Sequence, residues 1–287
     1  MSNYLKSFLC ACLGLTACVL LSSTVRSEEL TPDKIKSVIS KSMEYLKGKA
    51  AIGGPQYSDY VVFCGASLEN DYPDYKEVIA PYKKWIVKKD RFLGKGPYLY
   101  FSSCHVMALD LVDKDKALEM AKKFKPYAND GQWAKVRYHL GWYLYCCIVA
   151  GEKELADKTF KVLSEGCAKT PNRYDYFVAY CILKIYDRTK EEKYQKMFLS
   201  LVQNMKKFEK IYCRMALKDG HIGMTLYDFC IAYKLSNDEA YKSIAGKLAK
   251  ILIDTQQEDG SWNKKTAYTI MPAEGLNAYL KYVLNSK

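Results

Sequence analysis

The sequence predicts an all-α protein built from six repeats of a two-helix unit. Three observations lead there. Apolar residues recur at helical spacing along most of the chain, and no alternating, strand-like run competes with them. The helical segments are of two kinds, and the kinds alternate. The second kind aligns on itself, with cysteines in register at intervals of roughly 43 residues, a length typical of helical-pair repeats.

The first kind is amphipathic, with one apolar stripe and a lysine-rich opposite face. Its members are TPDKIKSVISKSMEYLK (31–47), YKEVIAPYKKWIVKK (75–89), KDKALEMAKKF (114–124), KELADKTFKVLSEG (153–166), KYQKMFLSLVQNMKKFE (193–209) and DEAYKSIAGKLAKILIDTQ (238–256). The second kind is apolar nearly all round: DYVVFCGASL (59–68), YLYFSSCHVMALDL (98–111), HLGWYLYCCIVA (139–150), YDYFVAYCILKIY (174–186), MTLYDFCIAYKL (224–235) and AEGLNAYLKYVL (273–284).

In that second set Cys64, Cys104, Cys147, Cys181 and Cys230 share one position, filled by Tyr279 in the last copy. One turn earlier stand Tyr60, Tyr100, Tyr143, Phe177, Leu226 and Gly275. A helix apolar all round must be covered on every side. Six such helices inside a ring of six amphipathic ones achieve this, so the expected architecture is an (α/α)6 toroid of outer/inner pairs. The register cysteines then act as small, buried hydrophobes that let inner helices approach. Equivalent points on neighbouring helices lie about 8–10 Å apart, beyond the Cα reach of a disulfide, so these thiols are expected to be free. Cys167 and Cys213, near the ends of consecutive outer helices, are the one pair that could bridge.

The first 27 residues are read as a cleaved export signal: the positive MSNYLK, the apolar SFLCACLGLTACVLLSS, then Val25-Arg26-Ser27 before the cut. Residues 28–287 form a single domain, since no low-complexity linker interrupts them. A second reading treats Leu15-Thr16-Ala17-Cys18 as a lipobox, with a lipid on Cys18 as the only membrane contact. Losing Lys6 and Arg26 with the signal takes the formal charge from +12 to +10. The lysines are spread over helix faces, which suits a solvated surface or attraction to an anionic polymer. No concentrated Lys/Arg patch points to nucleic acid. The expected protein is exported, periplasmic or secreted, and monomeric.

The segment Thr255-Gln256-Gln257-Glu258-Asp259-Gly260-Ser261-Trp262 joins the last outer helix to the last inner one. It resembles the QW repeat of the terpenoid-cyclase and protein-prenyltransferase toroids, squalene–hopene cyclases among them. Eroded copies stand at Asp130-Gly131-Gln132-Trp133 and Asp219-Gly220-His221, and the six-fold pattern extends the likeness over residues 30–285. In that family the Gln and Trp side chains tie an outer helix to the start of a neighbouring one. The resemblance implies the toroid fold and a cavity for an apolar, isoprenoid-like ligand. It stops short of the chemistry. The cyclases' Asp-x-Asp-Asp acid motif is absent, the nearest string being Asp110-Leu-Val-Asp113-Lys-Asp115. Asp228-Phe229-Cys230 looks like the prenyltransferase zinc pair, but no His follows in residues 257–287. No metal or cofactor is therefore expected.

Ligands of such a fold enter where the inner helices begin, at the positive ends of their dipoles. The candidate catalytic residues there are His139, Arg137, Arg173, Asp175 and His221, and the candidate ligand-binding residues are Tyr57, Tyr60, Tyr100, Trp142, Tyr174 and Asp228. His105 belongs to the same segments but sits beside a packing cysteine. The leading expectation is a toroid that binds or transforms an apolar, isoprenoid-like ligand in an aromatic-lined cavity, or merely binds it. The alternative is a polysaccharide lyase or other carbohydrate-active enzyme acting on an acidic glycan. Such a lyase needs a base and a cation against the uronate carboxylate, and Arg137, His139, Arg173 and Tyr174 supply those types.

Overall fold

Every apolar segment of the second kind folds as a helix, and so does every amphipathic one. The computed structural model describes residues 30–51, 58–89, 98–127, 137–169, 174–207, 209–210 and 221–285. The expected export segment with Cys18, Tyr57, Arg173, Cys213, Asp130–Trp133 and Asp219-Gly220 lie outside these residues. The described residues from Pro32 onward belong to one compact unit.

This unit holds, among the described residues, twelve α-helices and no strand: α1 (Pro32–Ala51), α2 (Ser58–Asp71), α3 (Tyr75–Lys88), α4 (Tyr98–Val112), α5 (Lys114–Lys122), α6 (Arg137–Ala150), α7 (Lys153–Lys169), α8 (Asp175–Thr189), α9 (Glu192–Lys207), α10 (Ile222–Ser236), α11 (Glu239–Thr255) and α12 (Ala267–Tyr279). A 3-10 turn, Lys125–Tyr127, follows α5, and a π-helical turn, Leu280–Leu284, prolongs α12. The all-α expectation holds.

The two kinds of helix occupy two environments. α10 buries Ile222–Tyr233 without interruption, and α8 buries Asp175–Leu183. α9 buries only Tyr194, Met197, Phe198, Leu201, Val202 and Met205, the stripe that a 3.6-residue period puts on one face. The even-numbered helices contact one another in a cycle: α2 with α4, α4 with α6, α6 with α8, α8 with α10, α10 with α12, and α12 with α2. Each of α2 to α10 also packs on the odd-numbered helix after it, and α12 packs on α1.

Turn chemistry sets the C-terminal ends of the inner helices. α6, α8 and α10 each end in a left-handed residue, Gly151 (φ 75°), Lys190 (φ 60°) and Asn237 (φ 56°). The amides of Lys190 and Asn237 donate to the carbonyls of Tyr186 (2.8 Å) and Tyr233 (2.7 Å), closing the last turn. Asp113 and Asp238 then cap the next helices, accepting from the Lys116 and Ala240 amides. Connections of one to three residues leave outer helices antiparallel to inner ones.

Two glycines allow the tightest junction. A methyl group on Gly223 of α10 would overlap the backbone at Met271 and Pro272 of α12, and one on Gly275 would overlap the Gly223 carbonyl. Here the two backbones touch. Gly275, the smallest residue in the row one turn before the register cysteines, makes this junction, while the register position itself carries Tyr279 in α12.

The Gln-Trp segment closes the cycle on the outside. Gln256 Nε2 donates to the Val38 carbonyl of α1 at 2.8 Å and to the Gly260 carbonyl at 3.0 Å. Trp262 Nε1 donates to the Leu252 carbonyl on α11 at 3.0 Å. Gly260 (φ 82°) lies so close to the Lys41 carbonyl that no side chain fits. One loop thus joins the last helix pair to the first.

The register cysteines are buried and free, as are Cys146 and Cys167. Burial pushes the Cys64, Cys104, Cys181 and Cys230 thiols well up, and Cys147 to about 12. They are protonated and inert at neutral pH.

Candidate functional site

The first turns of α4, α6, α8 and α10 and the loop into α12 place aromatic rings edge to face along one rim. Tyr100 stacks on His139 (centroids 5.5 Å, 28° between planes), and His139 meets Tyr138 at 4.3 Å. Tyr138 touches Tyr174 at 4.9 Å, Tyr174 touches Phe177 at 6.4 Å, and Phe177 meets His221 at 4.6 Å. Tyr268 closes the arc edge-on to His221 at 5.3 Å. The near-perpendicular contacts set positive ring edges against negative faces.

At the His221 end a groove of about 720 Å³ opens, lined by Tyr174, His221, Gln257, Lys264, Lys265 and Tyr268. Asn263, also in its wall, and Lys264 are consecutive left-handed residues (φ 55° and 53°). Neither is glycine, so the pair costs on the order of 1 kcal/mol or more per residue. Strain of this kind concentrates where a site must be held in shape. It presents both lysines beside the arc, and Lys265 Nζ stands 5.1 Å over the Tyr268 ring.

His221 is fixed from below: Tyr176 Oη lies 3.2 Å from its Nδ1. In the tautomer whose Nδ1–H donates to that hydroxyl, Nε2 keeps a free lone pair. Burial lowers the His221 pKa to about 4, and that of His139 also to about 4. Both rings are neutral at pH 7. A ring kept neutral by folding but free to charge when unfolded makes the unfolded state bind more protons between pH 6.5 and 4. Stability is therefore full above pH 6.5 and falls as pH drops through that window. His221 alone accounts for about 3 kcal/mol of that fall. Urea midpoints measured from pH 7 to pH 4 should decline, and His221→Gln should flatten the decline.

The rest of the expected set divides. Arg137 and Asp175 pair with each other (Nη1 to Oδ1, 3.7 Å), and Asp175 is buried. Both act electrostatically on Cys167, near the end of α7. Tyr60 and Tyr100 share a hydrogen bond between their hydroxyls. Trp142 is fully buried against Phe63 (5.4 Å) and Tyr100 (5.8 Å), and Phe63 reaches Tyr180 at 6.1 Å. These rings fill the space between inner helices. Asp228 is also fully buried, and neither of its oxygens has a hydrogen-bond partner. Burial first, and then the Glu274 carboxylate, push its pKa well up. His105 ties elements together: Nδ1 lies 2.7 Å from Asp59 Oδ1, and Nε2 lies 2.9 Å from the Lys89 carbonyl. Among the described residues no three His, Cys, Asp or Glu side chains gather as a metal site, and no helix is long and apolar enough to cross a membrane.

Sequence reasoning missed a polar cluster near the other ends of the inner helices. Lys184 Nζ lies 3.2 Å from Glu274 Oε1, and Tyr180 Oη donates to the same carboxylate at 2.9 Å. The ammonium also sits 4.7 and 4.9 Å over the Tyr180 and Tyr227 rings. Tyr145 Oη donates to Asp110 Oδ2 at 2.7 Å, and Arg188 pairs with the same oxygen. The available signal was the presence of single charges inside otherwise apolar helices.

No protein-family model, curated protein or solved structure matches the chain. The likeness to the cyclase and prenyltransferase toroids rests on the residues alone.

Proposed function

We propose that the chain is an (α/α)6 toroid whose aromatic rim binds an acidic glycan, with His221 as the base of a β-elimination. One observation carries the reading: a neutral imidazole stands in an open groove between two tyrosines, beside two lysines on a strained turn. Flat apolar sugar faces lie on aromatic rings, and ammonium groups pair with carboxylates. Lys264 or Lys265 against a uronate carboxylate makes the neighbouring C–H more acidic. His221 Nε2 takes that proton, a C=C bond forms, and the bond to the glycosidic oxygen breaks. A tyrosine hydroxyl supplies the proton that the leaving oxygen needs. The ligand's own carboxylate raises the pKa of His221 from about 4 towards the working pH, which improves it as a base.

The isoprenoid reading keeps the same aromatic arc in its favour, since aromatic faces attract cationic centres. The filled space around Phe63, Trp142 and Tyr180 weighs against a deep apolar hole. Export of the chain and its single-domain, monomeric state are part of the proposal.

Polygalacturonate and an uncharged dextran distinguish the readings. The acidic polymer should quench tyrosine and tryptophan fluorescence on binding and yield an ultraviolet-absorbing unsaturated product; dextran should do neither. Replacing Lys264 and Lys265 together by alanine should weaken binding about tenfold or more. His221→Ala should abolish product while sparing binding. Binding of farnesol in place of the glycan would support the isoprenoid reading instead.

A further inference from the structure

At the C-terminal ends of the inner helices, opposite the aromatic rim, a second cavity of about 600 Å³ opens. That volume lies in the range of small-molecule sites. One wall is apolar: Phe63, Ala66, Met107 and Leu111, the last 50% exposed. The other wall holds Asp110, Tyr145 and Arg188, with Lys114 at its edge and Asp187, which pairs with Lys190 outside at 3.7 Å.

The polar wall is unevenly satisfied. Tyr145 and Arg188 both converge on Oδ2 of Asp110. Asp110 is only 5% exposed, yet its Oδ1 has no hydrogen-bond partner. A buried carboxylate oxygen without a donor is costly. Arg188 commits one of its N–H groups to Asp110 and keeps others, and Lys114 makes no ion pair among the described residues. Lys184, also in the wall, is already committed to Glu274. The wall therefore holds an unmet acceptor just beneath its surface, beside cationic donors and opposite an apolar face.

We propose that this cavity binds a free α-amino acid with a large apolar side chain. A turn of the Asp110 carboxyl brings Oδ1 to the ligand's ammonium, its carboxylate pairs with Arg188 and Lys114, and its side chain covers Phe63, Met107 and Leu111. An α-amino acid carries its two charges on neighbouring atoms. The Asp110–Arg188 ion pair offers the complementary charges equally close together. A ligand with one charge meets only half of this wall.

The test is isothermal titration of the full chain with L-phenylalanine, 3-phenylpropanoate and 2-phenylethylamine. Phenylalanine should bind, and each single-charge analogue should bind about tenfold or more weakly. Asp110→Asn should cost phenylalanine a similar factor and leave 3-phenylpropanoate unchanged. Leu111→Glu, at a half-exposed position that folding tolerates, should weaken phenylalanine and 3-phenylpropanoate alike by placing a charge against their phenyl rings. Absence of heat with millimolar phenylalanine, or an analogue as tight as the amino acid, overturns the proposal. Should Asp110→Asn fail to melt cooperatively, unchanged phenylalanine affinity in Leu111→Glu overturns it instead.

Discussion

Gly223→Ala should destabilise the protein by about 3 kcal/mol or more, although alanine is the better helix former. In an isolated helix the same change would gain up to about 1 kcal/mol. The sign reverses because the new methyl group would meet backbone: the Met271 carbonyl and the Pro272 nitrogen of α12. A flexible side chain could swing away, but a helix backbone cannot. α10 would have to separate from α12, losing the contact that carries the cycle between its last two members. Gly48 of α1 is the internal control, because a Cβ there meets nothing within 4 Å. Gly48→Ala should match or slightly exceed the parent in urea midpoint, while Gly223→Ala falls well below it. Equal midpoints for Gly223→Ala and the parent would mean that the two backbones do not touch.

Lys184→Met comes second. Glu274 is fully buried, and its nearest cation is the Lys184 ammonium at 3.2 Å. Removing one member of a buried pair costs about 3–5 kcal/mol, because the other charge stays in a poor solvent. Without the ammonium, burial favours the neutral form of the Glu274 carboxyl, so a proton is taken up on folding. Glu274→Gln in the Lys184→Met background should restore most of the loss, since the amide carbonyl still accepts from Tyr180 and carries no charge. Thermal melts of the single and double variants measure this directly. A double variant no better than the single would show that Lys184 matters through its packing on Tyr180 and Tyr227 rather than its charge.

Both variants act at places that the pattern of residues reveals only in part. Gly275 was legible as the last member of the row one turn before the register cysteines, but its partner Gly223 was not. Which backbones touch depends on how helices distant in sequence lean together, and periodicity is silent on that. Lys184 and Glu274 were each visible as a charge in an apolar segment. That they neutralise one another emerges only when α8 and α12 share an interior. The same holds at the rim. His139, Tyr174 and His221 were legible because aromatic and polar residues crowd the starts of the inner helices, and the structure joins them in one arc. Arg137 and Asp175 belonged to the same reading, yet they pair with each other beside α7. Electrostatic attraction between side chains on adjacent helices satisfied them first.

The all-α class, the alternation of amphipathic and apolar helices, and the small buried thiols in register all follow from the order of residues. Each comes from local rules: a 3.6-residue period, caps and turns, and the need to cover apolar surface. Which rings fill the interior and which form a rim, which charges cancel, and which groove remains open come from packing between helices. Those outcomes depend on distances between helices far apart in sequence, as when Gln256 reaches Val38, 218 residues away. The Gln-Trp loop shows both halves. Its turn is written in Asp259-Gly260, and its role in joining the last helix pair to the first appears only when α1 lies beside it.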